Sequence, residues 1–141
     1  MANSMKHAVK KTEECFWDIV FSATRQVGER GMMLPKRFNS VDKIYRYCCQ
    51  YMSPQMAKRL IRNLHLRRIN GKLAVPLGDG AGAAPMRRFR VLSRIGNSVA
   101  VKATFAFDRN DRYHYLYHLR KKSDHWIVTH RYPTDYPFDL S

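Results

Sequence analysis

A run of alternating apolar and polar residues between Arg88 and Tyr132 constrains the fold of this chain more than any other feature of its sequence. Four segments, FRVLSRI, VAVKATFAF, YHYLYHL and HWIVTHR, alternate with a period of two, as half-buried β-strands do. Short polar turns separate them. The pattern therefore predicts a four-stranded antiparallel meander over residues 88–132.

The alternation assigns each side chain of the meander to one of two faces. The apolar face, which we expect to turn inward, carries Phe89, Val91, Ser93, Ile95, Val99, Val101, Ala103, Phe105, Phe107, Tyr113, Tyr115, Tyr117, Leu119, Trp126, Val128 and His130. The outer face carries Arg88, Arg90, Leu92, Arg94, Ala100, Lys102, Thr104, Ala106, His114, Leu116, His118, Arg120, Ile127, Thr129 and Arg131. It is basic and, in this assignment, has no aromatic ring from Phe, Tyr or Trp, which disfavours base stacking there.

The turns decide which residues face each other, because a slip of one residue would move every side chain to the other face. We expect a three-residue loop at 96–98, a loop at 108–112 and a turn at 121–124. The cross-strand pairs that follow are Ile95 with Val99, Phe105 with Tyr115, Leu119 with Trp126 and Tyr115 with His130.

Three amphipathic helices are predicted before the meander. Apolar residues recur at three- and four-residue spacing over about 6–26, 41–52 and 54–64. The inner stripe of the second helix begins with Val41, and the third carries proline at its first position. The capping residues are Asn39 or Ser40 for the second helix and Ser53 for the third.

The remaining segments are predicted as connections. A basic exit loop turns at Asn70 and Gly71, a short edge strand covers 73–76, and the glycine-rich run 78–85 is a flexible loop without the features of a phosphate-binding loop. The tail contains Tyr136 and Phe138, which either dock across the sheet edge or form a short recognition segment. The chain is thus predicted to be one α+β domain over 1–141, with helices at about 6–64, the sheet at 88–132 and a tail at 133–141.

The charge of the chain favours anionic partners. Lys and Arg total 26 against 11 for Asp and Glu, a formal net charge of +15, which attracts nucleic acid, anionic lipid or acidic protein. The densest basic run is Lys58, Arg59, Arg62, His65, Arg67 and Arg68, and it is either a solvated helix face or an anion-contact surface. The predicted anion-contact residues are Lys58, Arg59, Arg62, Arg90, Arg94 and Arg120.

Cysteine and histidine usage predicts no metal site and no cofactor. The three cysteines are an odd count with two adjacent, which favours a reducing compartment over a disulfide framework. His114 and His118 share a face but lie about 13 Å apart along a strand, too far for one ion. The first residues lack the apolar core of a signal peptide, and no apolar run is long enough to span a membrane. We therefore expect a cytoplasmic protein without a transmembrane segment.

Three segments carry a resemblance to a known superfamily: YMSPQMAKRLIRNL, RVLSRIGNSVAVKATFAF and YHYLYHLRKKSDHWIVTHRY, about half the chain. Helices followed by a meander whose last strand begins at a tryptophan after a polar turn resemble the nuclear transport factor 2-like, or cystatin-like, superfamily. A fainter similarity, around Ser53 and in the meander, is to bacterial DL-endopeptidase inhibitors, which are secreted. The first resemblance implies a curved sheet wrapped around the first helix to form a cone with an apolar pocket.

The resemblance also implies a candidate site. The pocket would be lined by Phe16, Val20, Ser93, Phe105, Tyr113, Tyr115, Tyr117, Trp126 and His130. We interpret the protein as a non-catalytic binding module with an apolar small molecule in this pocket and an acidic protein or other polyanion as partner. Superfamily members often dimerise, so a homodimer through the outer sheet face is predicted. The alternatives are a small-molecule lyase or isomerase using Tyr115, His130 and Asp18, and a sequence-independent nucleic-acid binder.

Overall fold

A computed structural model describes residues 2–78, 80 and 82–133, with side chains from Met5 onward. The predicted α+β class is confirmed: three α-helices accompany two antiparallel sheets of four strands each. The helices are α1 (Ala2–Ser22), α2 (Val41–Cys48) and α3 (Pro54–Leu64), and a short 3-10 helix covers Lys36–Phe38. The strands are β1 (Arg25–Val27), β2 (Gly31–Met33), β3 (Arg67–Ile69), β4 (Lys72–Pro76), β5 (Met86–Ile95), β6 (Ser98–Ala106), β7 (Arg112–Lys122) and β8 (His125–Tyr132).

Helices α2 and α3 begin after capping serines, whereas α1 ends at Ser22 and not near residue 26 as predicted, since β1 begins at Arg25. The bounds of α3 are confirmed, and the Ser53 hydroxyl accepts a hydrogen bond from the Met56 backbone N–H (3.4 Å). Ser40 caps α2 in the same way. The prediction that α2 reaches residue 52 is wrong, because the chain leaves the helix after Cys48. Val41, predicted to face inward, is 49% exposed because it occupies the first, outward-turned position of α2.

The small sheet, in the order β1-β2-β4-β3, is only partly foreseen by the sequence. The segment predicted as an edge strand is β4, and it is central, because β2 pairs with one side of it and β3 with the other. The turn at Asn70 and Gly71 is confirmed. Both residues have positive φ (53° and 76°), as a two-residue turn between antiparallel strands requires.

The large sheet is the predicted meander, in the order β5-β6-β7-β8, but its register differs at every hairpin. The loops at 96–97 and 123–124 have two residues each, one and two fewer than expected. The observed pairs are Ile95 with Ser98, Phe105 with Tyr113 and Leu119 with Val128. A displacement of two residues preserves the faces, so the central residues of β6 and β7 point as predicted.

A β-bulge at Leu92 exchanges the faces on which the last side chains of β5 lie. Val91 pairs with Val101, whereas Ser93 pairs with Ala100, so one extra residue lies between the two pairs. Ser93 is therefore on the outer face and exposed, which corrects its predicted place in the pocket. Arg94 turns to the inner side, where its guanidinium lies 5.5 Å from the centre of the Trp126 ring.

A second bulge, at Thr129, exchanges the faces on which the last side chains of β8 lie. Leu119 pairs with Val128, but His118 pairs with His130, and the Thr129 hydroxyl donates a hydrogen bond to the His118 carbonyl (3.1 Å). The alternation therefore changes phase at Thr129. His130 points outward and Arg131 points inward, the opposite of both predictions.

Arg131 enters the core as one half of a buried ion pair. Its Nε lies 2.7 Å from Glu13 Oε2 and its Nη2 lies 3.2 Å from Glu13 Oε1, while the Tyr117 hydroxyl donates to Glu13 Oε2 (2.7 Å). The two charged residues are only 2% and 3% exposed. The guanidinium also lies 3.8 Å from the centre of the Tyr115 ring. This cluster joins α1, β7 and β8.

Backbone pairing attaches the α2–α3 connection to the large sheet. The Ser53 N–H donates to the Val128 carbonyl, and the Val128 N–H donates to the Tyr51 carbonyl, each at 2.9 Å. Met52 thereby forms a bridge with Val128 beside the edge of β8. The helices and the sheet are thus held together by backbone hydrogen bonds as well as by the core.

The glycine-rich segment before β5 was predicted to be a flexible loop, but two of its glycines lie against α1. A Cβ placed at Gly80 would overlap the Trp17 indole, and one at Gly82, where φ is +84°, would lie 3.1 Å from the Phe21 ring. Glycine therefore permits the backbone to approach two aromatic rings of α1. The residues predicted to dock from the tail, Tyr136 and Phe138, lie outside the described residues.

Replacing Arg131 should destabilise the fold strongly. Arg131→Met leaves the Glu13 carboxylate buried without its counter-charge, so we expect the free energy of unfolding to fall by about 3–5 kcal/mol. Glu13→Met/Arg131→Met removes both charges and should lose less than Arg131→Met alone. Urea unfolding followed by circular dichroism measures both.

The matched control is Arg120→Met, which removes an exposed guanidinium from the other face of the same sheet. It should change the free energy of unfolding by no more than about 0.5 kcal/mol. Equal losses for Arg131→Met and Arg120→Met would show that the ion pair contributes nothing special.

Candidate nucleic-acid interface

Helix α3 has one apolar face and one basic face. Met56, Ala57, Leu60 and Leu64 are buried against the rest of the domain. The residues on the opposite side recur at positions i, i+3, i+4 and i+7, and all four are exposed: Gln55, Lys58, Arg59 and Arg62. The buried face fixes the helix, so its long cationic side chains are presented from a rigid support.

The β3–β4 hairpin continues the basic surface directly after α3. His65 ends the helix in the left-handed conformation (φ 52°), and β3 begins two residues later. Arg67, Arg68 and Lys72 are exposed around the tight turn of the hairpin. We call Lys58, Arg59, Arg62, Arg67, Arg68 and Lys72 the helix–hairpin surface.

This surface has no acidic residue near it in sequence. Between Asp42 and Asp79 the chain contains no Asp or Glu, and its basic residues there are Lys43, Arg46, Lys58, Arg59, Arg62, Arg67, Arg68 and Lys72. Within the part of the chain that the structure describes, no ion pair involves Lys58, Arg62, Arg67 or Arg68. The positive charge of these four side chains is therefore not balanced by an ion pair within the described residues.

The six residues predicted to contact anions do not form one site. Lys58, Arg59 and Arg62 share the exposed face of α3. Arg90 and Arg120 lie on the outer face of the large sheet, where Arg90 pairs with Lys102 and Arg120 with Ser98. Arg94 has turned toward Trp126 and is not on that face.

The three residues considered for catalysis are not brought together. Asp18 accepts hydrogen bonds from Lys11 Nζ (2.8 Å) and from the Tyr47 hydroxyl (2.9 Å) at the junction of α1 and α2. Tyr115 lies on the inner face beside Arg131, and His130 lies on the outer face. Because a sheet separates His130 from Tyr115, they cannot exchange a proton directly.

The nine residues expected to line the pocket are dispersed. Phe16, Phe105, Tyr117 and Trp126 are buried in the core, and Val20 and Tyr115 are half-buried against it. Tyr113 is exposed, and Ser93 and His130 line a groove on the other side of the sheet. The Glu13–Arg131 pair lies between α1 and the sheet, where the resemblance implied an apolar pocket.

Burial and ion pairing shift the pKa values of Glu13 and Arg131 in opposite directions. Burial raises the pKa of the Glu13 carboxyl, while the charge and hydrogen bonds of Arg131 act to lower it. Burial also acts to lower the pKa of the Arg131 guanidinium, but the Glu13 carboxylate outweighs it and raises that pKa. Burial and the neighbouring Glu13 charge raise the pKa of Tyr117 well above its ordinary value.

Sequence reasoning missed both partners of the ion pair, for different reasons. Glu13 does carry a signal, because it lies four residues after Val9 and three before Phe16, on the apolar stripe of α1. Arg131 carries no such signal, since its inward direction comes from the bulge at Thr129. The same bulge turns the rings of His130 and Tyr132 outward, so their position also carries no signal in the sequence.

The cysteines and histidines show no metal-binding arrangement. All three cysteines are free, with Cys15 and Cys48 buried. A hydrogen bond with Cys48, together with burial, raises the pKa of the Cys15 thiol. Across residues 2–78, 80 and 82–133, no group of three or more His, Cys, Asp or Glu side chains is placed to hold a metal ion. Nor does any described helix combine the length and the apolar character needed to cross a membrane.

Comparison with known proteins leaves the geometry as the basis for assigning a function. No protein-family model and no curated protein sequence matches this chain. The resemblance to the nuclear transport factor 2-like superfamily stays a prediction.

The cap of α3 should matter for the stability of the helix–hairpin surface. Ser53→Ala removes the side-chain acceptor of the Met56 N–H, and we expect the free energy of unfolding to fall by about 1 kcal/mol. Thermal unfolding measures the change. Ser98→Ala, at an exposed position that begins β6, is the control and should leave the midpoint nearly unchanged. A Ser53→Ala midpoint equal to that of Ser98→Ala would contradict the cap.

Proposed function

We propose that this protein binds double-stranded nucleic acid without sequence preference, through the helix–hairpin surface. The observation that carries the proposal is the exposed basic stripe of α3, continued by the hairpin, in a segment without acidic residues. Lys and Arg side chains that neutralise phosphates release condensed counterions, and this supplies most of the affinity of non-specific binding.

The order of elements supports the same function. Helices α2 and α3 are joined by a connection at 49–53, and a β-hairpin follows α3 at once. The sheet order β2-β4-β3 joins that hairpin to the strand that precedes α2. This arrangement resembles a winged helix-turn-helix, in which the second helix enters the major groove and the first crosses the backbone.

The dimensions of α3 fit a duplex. Its 11 residues span about 16 Å at 1.5 Å per residue, and an α-helix fits within the major groove, which is about 12 Å wide. Most of its exposed side chains are flexible cations, which contact phosphates and carry no sequence information. Gln55 is the exposed amide on this face.

The other functions predicted from sequence receive less support. A binding module with an apolar pocket needs space between α1 and the sheet, where Glu13, Tyr117 and Arg131 are packed. An enzyme needs an available base, but the inward carboxylate of Glu13 is paired with Arg131. Binding of an acidic protein would use the same cations as nucleic acid, and a homodimer through the outer face remains a prediction.

Binding to a duplex should weaken when α3 loses charge. Lys58→Ala/Arg62→Ala removes two phosphate contacts, so we expect weaker binding of a 20-base-pair duplex. The slope of log K against log salt should become shallower by about 1.8, that is 0.9 for each lost contact. Fluorescence anisotropy at several NaCl concentrations measures both quantities.

The matched control is Lys6→Ala/Lys10→Ala, which removes the same charge from exposed positions of α1. It should leave the slope close to that of the unaltered protein. Equal weakening by both pairs would show that only net charge matters, and wild-type binding by Lys58→Ala/Arg62→Ala would refute the proposed surface.

A further inference from the structure

We propose that the outer face of the large sheet is a second site, which binds single-stranded nucleic acid. Unpaired bases would stack on the rings of His118, His130 and Tyr132, and the phosphates would contact the arginines beside them. The site shares no residue with the helix–hairpin surface. The proposal therefore stands or falls independently of duplex binding.

The three rings form an exposed platform that the bulge at Thr129 creates. His118 pairs with His130, and Leu116 with Tyr132, so the rings share the face opposite Arg131. The His118 ring lies edge-on to the other two, at 5.7 Å from His130 and 5.6 Å from Tyr132. Exposed aromatic platforms of this kind stack bases in single-strand binding proteins.

The rings of His130 and Tyr132 share one orientation. Their centres are 6.3 Å apart and their planes differ by only 6°. Both side chains are exposed, Tyr132 at 41%. They therefore offer parallel aromatic surfaces on which bases can stack.

Hydrogen bonds hold the His130 ring in place. The Thr129 hydroxyl donates its only proton to the His118 carbonyl, so it accepts the second bond, of 3.1 Å, from His130 Nδ1–H. In this arrangement Nδ1 carries a proton. The ring is thus oriented before a base arrives, which reduces the entropy lost on binding.

A groove beside the rings provides room for a neighbouring base. It has a volume of about 420 Å³ and is lined by Ser93, Ile95, Ala100 and Arg120 together with His118 and His130. The Ile95 side chain is among the most exposed apolar groups of the described chain. The apolar side chains can contact a base, and the Arg120 guanidinium can contact its phosphate.

The other end of the same face carries a groove with a basic lining. A second groove, of about 500 Å³, is lined by Arg87, Arg88, Arg109, Arg112 and His114 around a single carboxylate, Asp108, with Thr104 and Ala106. His114 and His118 are four residues apart on β7, about 13 Å. One short single strand of nucleic acid can therefore contact both grooves, and it would pass Arg90 and Lys102 between them.

The charge of this face favours nucleic acid over a second copy of the chain. A symmetric dimer would place the arginines of one copy against those of the other, and such burial without counter-charges is costly. A polyanion supplies the counter-charges. The predicted homodimer is therefore the competing occupant in the test.

The test uses fluorescence anisotropy of labelled (dT)12 with the full chain. His130→Ala/Tyr132→Ala should weaken binding at least about tenfold, as expected for the loss of stacking. His130→Phe/Tyr132→Phe keeps the rings and should retain affinity within about twofold. The matched control, Tyr113→Ala/His125→Ala, removes one exposed tyrosine and one exposed histidine elsewhere in the same sheet and should bind as the unaltered protein does.

The two sites are separated by exchanging variants and probes. Lys58→Ala/Arg62→Ala should weaken binding of the duplex and leave (dT)12 nearly unaffected, whereas His130→Ala/Tyr132→Ala should do the reverse. Unchanged (dT)12 affinity in His130→Ala/Tyr132→Ala would overturn the proposal. The proposal would also be overturned if the protein had a dimeric mass that (dT)12 leaves unchanged and that Leu116→Arg reduces to the mass of a monomer.

Discussion

We infer that the ion pair between Glu13 and Arg131 fixes the position of α1 on the large sheet. Burying two charges is costly, and the two-point geometry of the guanidinium, the Tyr117 hydroxyl and the Tyr115 ring together offset that cost. The two side chains meet only if α1 lies across β7 and β8 at one position along its own axis. Apolar packing around it supplies the greater part of the stability, but packing alone would tolerate a shifted helix.

The bulge at Thr129 makes that pair possible and gives the opposite face its character. One added residue turns Arg131 inward and sends His130 and Tyr132 outward, so a single local irregularity produces both a buried charge cluster and an exposed group of rings. A regular strand would have placed His130 in the core and Arg131 in solvent. The interior of the sheet is thus occupied by a structural charge cluster, and the outer face carries the rings that we propose as a binding site.

The sequence predicts those features that repeat along the chain and misses those that arise from one residue. The meander and α3 follow from periods of two and 3.6 residues, and Ser53 and Pro54 locate the start of α3. Strands β1, β2 and β3 have three residues each, too few to show a period. The bulges at Leu92 and Thr129 leave the residue pattern unaltered while they exchange its faces, so the positions of Ser93, His130 and Arg131 could not be read from it. The basic residues of α3 were found because charge, unlike strand direction, is visible in sequence.

The inward direction of Arg131 can be observed through the Nε–H signal of its side chain in a proton–nitrogen NMR spectrum. The signal is assigned by its loss in Arg131→Lys. If the guanidinium is buried against Glu13, this proton exchanges with solvent far more slowly than that of Arg120 and shows a nuclear Overhauser contact to the Tyr117 ring. Exchange as fast as that of Arg120, with a contact to the His118 ring instead, would show that Arg131 points outward.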